Sequence, residues 1–372
     1  MAGKRILLMY ITEVSGHHSA TLAIEKALRI LSPDAEILNI NAFNYTNPIS
    51  EKIVNRLYMG VIKKAPKVWG YLYDNYAIVK RIEKIKRSIH KFNSPKLKKL
   101  FDKFKPNVVI CSQAFPCGMV ADYKRAYNSE IPLIAVLTDY VPHAYWIYDT
   151  VNYYVTPAEE ISQRLAKKGV SADKIQSLGI PFDPKFIQKI DKAEAQQKLG
   201  LNAGVSTILI MGGGQGLGPI KTIITSLEKI KKELQLLIVC GTNRKLCSSL
   251  KRKLKKFKKK TLLFGYTDNI NELMDASDII ITKPGGITTA EALAKKIPMV
   301  IVKPLPGQEA NNTAYLTQNN AAIKVDNPKA INLVIEKLLN NPLRIDDIAQ
   351  SENKIAKPNA SFDIAKLILD QP

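Results

Sequence analysis

A chain of 372 residues, 46% of them hydrophobic and 24% charged, is long enough for about two domains with real cores. That balance excludes a disordered or low-complexity chain, and no apolar run approaches the ~20 residues of a membrane-spanning helix. The net charge of +22 speaks of partners rather than of fold, and anionic lipid, nucleic acid and acidic substrates are all open at this stage.

The first run, "KRILLMYI", is basic and then apolar, as a signal peptide would be. Its apolar part spans only Ile6 to Ile11 and no small-residue cleavage site follows, so it reads as a buried first strand of a cytosolic protein. Further strands are expected at Glu36–Asn41, Asn107–Ser112, Leu133–Thr138, Tyr153–Thr156 and Ile175–Leu178. A second set follows at Thr207–Met211, Leu236–Cys240, Thr261–Phe264, Ile279–Thr282, Met299–Val302 and Ala322–Val325. Most are Val/Ile/Leu runs without strict alternation, which suits strands covered on both faces. Helical patterns fall between them, among them His18–Leu31, Ile220–Lys232, Ala290–Lys295 and Ala330–Asn340. Repeated strand–helix–strand units imply an α/β protein with parallel sheets and right-handed crossovers. "PFDPKF" and "NAGVS" mark a break near 181–204. The expected organisation is two Rossmann-like domains, 1–184 and 185–356, facing each other across a central cleft, with a tail helix in 357–372 packing back on the first. Open parallel sheets bind ligands beyond the carboxyl ends of their strands, so the cleft is the expected site.

Residues 51–105 break the alternation with long helical segments that hold sixteen Lys/Arg against four Asp/Glu. Within them "LYMGVIKKAPKVWGYLYDNY" interleaves basic residues with Trp69, Tyr71 and Tyr73, the composition of an interfacial helix at an anionic membrane surface. A solvated helix with its aromatics turned into the core is the plainer alternative. A second basic run, "LKRKLKKFKKK", reads first as a solvated face, and no nucleic-acid-binding signature accompanies it. The cysteines Cys111, Cys117, Cys240 and Cys247 show no C-x-x-C spacing and read as core thiols, with no metal cluster expected.

Five motifs carry chemistry. "SGHHSATLAI" follows the first strand and puts His17 at a helix start, where a depressed imidazolium pKa suits a neutral base for an alcohol; simple capping is the other reading. "LTDYVPHAYWI" ends a strand at Asp139, able to orient His17 or an acceptor hydroxyl, or only to close an Asx-turn. "MGGGQGLGP" fits neither the nicotinamide fingerprint nor a Walker A loop, yet it brings backbone N–H groups and a helix start towards phosphate. "TKPGGITTAEALAKK" opens a helix at Thr288; Glu291 completes a capping box or accepts both ribose hydroxyls. "KPLPGQEANN" sets Gln308, Glu309 and Asn312 at another helix start, a cluster suited to the hydroxyls of a hexose. No D-x-D occurs, which favours helix starts and backbone amides over a metal for a departing diphosphate.

Together "SGHHSAT", "LTDYVPHAYWI", "MGGGQG", "KPGGITTAEALAKKIPMVI" and "PLPGQEANNTAYL" resemble the monogalactosyldiacylglycerol synthase and processive diacylglycerol glucosyltransferase family, inverting GT-B glycosyltransferases related to the muropeptide GlcNAc transferase. The resemblance covers about residues 4–340, and "APKVWGYLYD" resembles the family's membrane-facing segment. It implies a GT-B fold and transfer of glucose or galactose from UDP-glucose or UDP-galactose to diacylglycerol, without a cofactor or metal. It also implies a peripheral place on the cytoplasmic face of the cell membrane, with anionic lipids as partners and no nucleic acid. By the same resemblance His17 matches the base and Asp139 an aspartate near the acceptor. Gly213, Gly214, Thr288 and Thr289 match the phosphate-facing turns, Tyr266 the loop over the uracil and Glu291 the ribose ligand. Gln308 and Glu309, with Asn312, match the donor-sugar side, while His143, Trp146, Trp69, Tyr71 and Tyr73 fall on the acceptor and membrane side. Val14-Ser15-Gly16-His17 stands where family members commonly carry a glycine-richer turn. The alternatives are a UDP-GlcNAc enzyme of the same fold, either transferring to a polyprenyl-linked acceptor or epimerising, and a non-catalytic UDP-sugar-binding protein.

Overall fold

The structure is a computed structural model that describes residues 3–46, 95–141 and 146–372. The chain forms two compact units, one of Met1–Pro184, Pro306–Gln308 and Asn359–Pro372, the other of Lys185–Leu305 and Glu309–Pro358. Trp69, Tyr71, Tyr73 and His143 lie outside the described residues, as does most of the basic segment around them.

The first unit is built on β1 (Arg5–Tyr10), β2 (Glu36–Asn41), β3 (Val108–Cys111), β4 (Leu133–Val136), β5 (Tyr153–Val155) and β6 (Ile175–Gln176). They pair in parallel in the order β2-β1-β3-β4-β5-β6. Leu7 and Met9 of β1 enter one apolar cluster while Ile6 and Leu8 enter another on the opposite face. That two-sided burial is why the strand reads as an unbroken apolar run. Helix α1 (Gly16–Leu31) covers one face through Ile24, Ala27 and Leu28; α2 (Ala114–Tyr127) contributes Cys117, Met119, Val120 and Ala121 to the other.

The second unit carries β7 (Ser206–Met211), β8 (Leu234–Val239), β9 (Thr261–Phe264), β10 (Ile279–Thr282), β11 (Met299–Val302) and β12 (Ala322–Val325). Again all pairs are parallel, in the order β12-β11-β10-β7-β8-β9. The helices that matter below are α3 (Ile220–Leu227), α4 (Arg244–Leu254), α5 (Gly286–Lys295), α6 (Gln308–Gln318), α7 (Ile331–Leu339) and α8 (Pro342–Ile355). Inside α5, Lys295 meets Asp275 at 2.6 Å with both side chains almost fully buried, and it also donates to the Gln188 carbonyl at 2.5 Å. Breaking one partner of such a pair strands a buried charge, so this contact fixes the far end of α5.

The last helix, α9 (Ala360–Leu369), returns to the first unit. Ile364 and Ile368 join the cluster of Ile24 and Leu28. Ser361 Oγ accepts from the Phe182 N–H at 3.0 Å and donates to the Phe182 carbonyl at 2.5 Å.

All twelve expected strands are present, with small differences at their ends. Besides α1, which begins at Gly16 rather than His18, two expected helix boundaries change with a visible cause. The first, α3, stops at Leu227 rather than Lys232, because i→i+3 bonds from Lys229 to Ser226 and from Ile230 to Leu227 tighten the chain and turn Ile230 into the core. The other, α5, starts at Gly286 with Gly285 as its cap, two residues before the expected Thr288.

Candidate active site

In each sheet there is one place where neighbouring strands lead the chain in opposite directions: between β1 and β3 in the first unit, and between β7 and β10 in the second. Helices leaving such a pair splay to opposite faces and open a crevice at the carboxyl ends. Part of the candidate set lies at these two points: His17 after β1, Gly213 and Gly214 after β7, and Thr288, Thr289 and Glu291 after β10.

In the first unit the loop after β1 leads into α1. Thr12 adopts a left-handed φ of 71°, a conformation that costs most side chains about 1–2 kcal/mol. Ser15 caps α1, its Oγ accepting from the His18 N–H at 3.2 Å while donating to the Thr12 carbonyl at 2.7 Å. His18 stacks on Tyr10, with ring centroids 4.1 Å apart, and its Nδ1 lies 2.7 Å from the Glu13 carbonyl. His18 therefore staples the loop, and His17 is left turned towards β3.

His17 Nδ1 is 2.8 Å from the main-chain carbonyl of Ser112, at the end of β3. A carbonyl only accepts, so Nδ1 carries the hydrogen and Nε2 keeps its lone pair. The contact is reciprocal, since Ser112 Oγ donates to the His17 carbonyl at 3.0 Å. Thr138 Oγ1, at the end of the chain segment that follows β4, sits 3.1 Å from the same Nδ1. Burial pushes the His17 pKa below the ordinary histidine value, against the opposing pull of the Asp139 carboxylate and the Ser112 carbonyl. The result is a neutral imidazole, fixed in one tautomer, beside a carboxylate. Sequence reasoning singled out His17 and Asp139 but passed over Ser112 and Thr138. Their signal was positional: each closes a buried strand next to the β1 loop.

In the second unit β7 ends in the loop Gly212–Gly218. Two of its glycines have no substitute on steric grounds: a Cβ on Gly212 would meet the Leu217 oxygen at 2.0 Å, and one on Gly216 the Cys240 oxygen at 1.9 Å. One on Gly241, just after β8, would meet the Gly214 oxygen at 2.2 Å. Bonds from Gly216 to Gly213, from Leu217 to Gly212 and from Thr242 to Gly214 hold the loop's shape. The N–H groups of Gly213, Gly214 and Gln215 donate to nothing among the described residues. Beside this loop, after β10, α5 begins. Its Gly285 cap has no side chain to spend on the helix, and the Thr289 N–H is the first to be satisfied, by the Gly285 carbonyl at 2.9 Å. The N–H groups of Gly286, Ile287 and Thr288 are thus the open end of a helix, where anions are favoured.

A cation stands between the two. Lys283 passes its Cδ within 3.6 Å of the position a Gly218 Cβ would occupy, and its Nζ lies 2.5 Å from Glu309 Oε1. The other Glu309 oxygen accepts from the Leu305 N–H at 2.8 Å. Lys283 was missed in the sequence, although a lysine directly after a strand and before a glycine turn is a usable signal.

Several expected residues stand differently from expectation. Glu309 is engaged by Lys283 and by the Leu305 N–H. Asn312 is fully buried and donates from Nδ2 to the Pro284 carbonyl at 2.9 Å, so it braces the turn before α5. Thr289 is fully buried and its Oγ1 has no hydrogen-bond partner, because α5 starts two residues early and rotates it inward. The Thr288–Glu291 capping box does not form, for the same reason. Trp146 is 4% exposed and packs in the core cluster with Leu137 and Val151, so its ring is not on a surface. Tyr266 is 65% exposed after β9, a free flat ring. Glu291 and Gln308 are partly exposed, on α5 and at the start of α6, and Gly214 is exposed at its loop's tip.

Two family profiles match. Residues 17–182 match that of monogalactosyldiacylglycerol (MGDG) synthase, and residues 207–368 match the glycosyltransferase family 28 C-terminal domain. The processive diacylglycerol beta-glucosyltransferase of Bacillus licheniformis is 29% identical over 371 residues, 99% of this chain and 95% of that protein. The chain thus carries an MGDG synthase domain followed by a glycosyltransferase family 28 C-terminal domain, and its curated relatives over nearly the whole length are processive diacylglycerol beta-glucosyltransferases. It is a glycosyltransferase. The Bacillus subtilis protein of the same description is 28% identical, with the same coverage of both chains. Among solved structures, MurG of Acinetobacter baumannii superposes with a TM-score of 0.67 at 15% identity, over 98% of this chain and 99% of that one. UDP-GlcNAc 2-epimerase of Neisseria meningitidis, bound to UDP-GlcNAc, gives 0.64 at 15% identity over the same shares. These likenesses show the GT-B fold alone. Among the described residues no helix is long and apolar enough to cross a membrane.

Proposed function

We propose that the protein makes glycolipid by moving a hexose, glucose or galactose, from its UDP donor to the free hydroxyl of diacylglycerol, with inversion at the anomeric carbon. The observation that carries the reading is the hydrogen bond from His17 Nδ1 to the Ser112 carbonyl, which leaves Nε2 as a fixed, unprotonated acceptor. Nε2 takes the proton of the lipid hydroxyl as its oxygen attacks the anomeric carbon from the side opposite the leaving group. Asp139 steadies the imidazolium that forms. The bond from the anomeric carbon to the phosphate oxygen breaks, and the diphosphate leaves with the electron pair. Its growing charge meets the amides of Gly213–Gln215 and the open start of α5, donors in place before the reaction begins, with the Lys283 ammonium, paired to Glu309, beside them. Glu291, on α5, is assigned the ribose hydroxyls, Tyr266 the uracil face and Gln308 the hexose. The relatives' descriptions support the diacylglycerol acceptor, and the free amides in the second unit support the diphosphate. The test is mass spectrometry of lipids after incubation of purified protein with diacylglycerol vesicles and UDP-glucose, UDP-galactose or UDP-GlcNAc. A hexosyl-diacylglycerol product is expected; UDP-GlcNAc turnover without lipid would overturn the reading.

A further inference from the structure

The second basic run is not absorbed by this chemistry. Residues 244–260 hold ten Lys/Arg, and no Asp or Glu occurs from 234 to 267. In the structure the run is α4 and the loop that returns to β9. Leu246 and Leu250 enter the core of the second unit, with Leu254 and Phe257 packed against it. Arg244, Lys245, Lys251, Arg252, Lys255, Lys256, Lys258 and Lys260 are exposed. Elsewhere in the described chain some cations meet carboxylates, among them Lys26 with Asp183, Arg125 with Asp149, Lys192 with Asp278 and Lys283 with Glu309. Among the described residues none of these ten does.

The plainer reading is a solvated helix with cations at its C-terminal end, where the helix dipole welcomes them. That accounts for Lys251, Arg252 and Lys253 in the last turn. It does not account for Lys255, Lys256, Lys258, Lys259 and Lys260 beyond it. Nor is the loop left loose. Lys253 Nζ bonds to Thr225 Oγ1 on α3, Lys259 Nζ donates to the Ile230 carbonyl at 2.6 Å, and Lys260 Nζ donates to Asn202 at 2.9 Å. The charges therefore ride on a pinned surface. Lys221, one turn before Thr225 on α3, extends it, while Glu228 and Glu336, which act on Lys259, offset it at one edge.

We propose that α4 and the loop 255–260 form a docking surface for an anionic lipid membrane, carried by the second unit and separate from the aromatic segment around Trp69. This rests on the diacylglycerol reading above, since such an acceptor keeps the enzyme at a lipid surface. A membrane fits better than nucleic acid because the face has no exposed aromatic to stack on bases: Phe257, the run's one ring, packs against the core. Eight of the ten are lysines, point charges suited to mobile headgroups rather than to a fixed bidentate partner.

The test is sedimentation of the full chain with phosphatidylcholine vesicles containing about a third phosphatidylglycerol, against phosphatidylcholine alone. The charge-neutral variant is Lys251→Gln, Arg252→Gln, Lys255→Gln and Lys256→Gln together; the charge-keeping control is Lys251→Arg, Lys255→Arg and Lys256→Arg. With each basic residue contributing to binding near a charged surface, the neutral variant should bind anionic vesicles roughly 10²- to 10³-fold more weakly. The arginine control should bind as the parent does, and added salt should narrow the gap. Anionic-vesicle binding unchanged in the neutral variant would overturn the proposal, as would tighter binding of the parent to duplex DNA or RNA than to those vesicles. Turnover on detergent-dispersed diacylglycerol separates the two readings. Parental turnover in the neutral variant supports the surface and shows an intact fold. A parent that binds vesicles through these lysines but transfers no sugar in detergent would sink the functional reading and leave the surface standing.

Discussion

Replacing His17 by alanine removes a lone pair that the first unit holds ready beside a carboxylate. A positioned general base is worth ~10²–10⁴-fold in rate, which is about 3–5 kcal/mol of barrier. The expected result is a fall in kcat of that size with KM for the sugar nucleotide unchanged, since the donor groups sit on the second unit. The structure also fixes the pH dependence. Burial lowers the His17 pKa, so the base is neutral at pH 7, and kcat/KM should decline only on the acid side, below the ordinary histidine value of about 6.5. Asp139 opposes that shift by favouring the charged ring. Asp139→Asn should therefore move the acid limb to still lower pH and lower the plateau, because a weaker base accepts a proton less readily. Thr138→Val removes the second contact at Nδ1 and should lower kcat more modestly, leaving the Ser112 contact to hold the tautomer. The assay is UDP release from pH 5 to 9 with diacylglycerol in mixed micelles. Turnover of His17→Ala within about fivefold of the parent, or an acid limb that Asp139→Asn leaves in place, would refute the assignment.

The donor side makes its own predictions. Lys283→Met should weaken UDP binding by calorimetry roughly 10- to 100-fold, the loss of one charge-assisted hydrogen bond, whereas Glu309→Gln should change it only a few-fold. Gly216→Ala drives a methyl to 1.9 Å from the Cys240 oxygen at a φ of 57° and should abolish UDP binding and lower Tm. Gly213→Ala meets no neighbouring atom and carries only the left-handed strain of about 1–2 kcal/mol. Glu352 of α8 is fully buried, and among the described residues neither carboxyl oxygen has a partner with full hydrogen-bond geometry, although the Met299 N–H favours its charged form. Burial raises its pKa well above the usual carboxylate range, so its favourable contribution holds at low pH and is lost as pH rises towards the folded value. Glu352→Met should accordingly raise Tm more at pH 8 than at pH 5, by differential scanning calorimetry.

The strands were legible in the sequence because both sheets are covered on both faces. A strand such as "TILIM" then has no solvent side to interrupt its apolar run, and the glycine or proline turn after it marks the end. Helix ends were less legible, and the reason is tertiary. Nothing local to "TSLEKIKK" says that Ile230 will be drawn into the core, yet its burial is what cuts α3 short. Likewise "KPGGITTAE" offers two good starts. Thr288 has the better capping side chain, but Gly285–Gly286 lets the chain turn straight off β10, and with that choice Thr289 rotates into the interior.

That two-residue difference explains much of what the sequence left hidden at the site. A reading from residue types places every polar side chain of a loop on the ligand's side. The fold instead spends several of them on the loop: Asn312 on the Pro284 carbonyl, Glu309 on Lys283 and the Leu305 amide, His18 on Tyr10 and the Glu13 carbonyl. What remains for a ligand is mostly backbone, the N–H groups of Gly213–Gln215 and Gly286–Thr288, which residue identity does not encode directly. Ser112 acts on His17 through its carbonyl in the same way. A site whose donors are main-chain atoms tolerates change in side chains so long as the turns keep their shape. The glycines at 212, 216 and 241, where a single methyl would collide with the neighbouring loop, are thus a stricter constraint on donor binding than the polar residues around them.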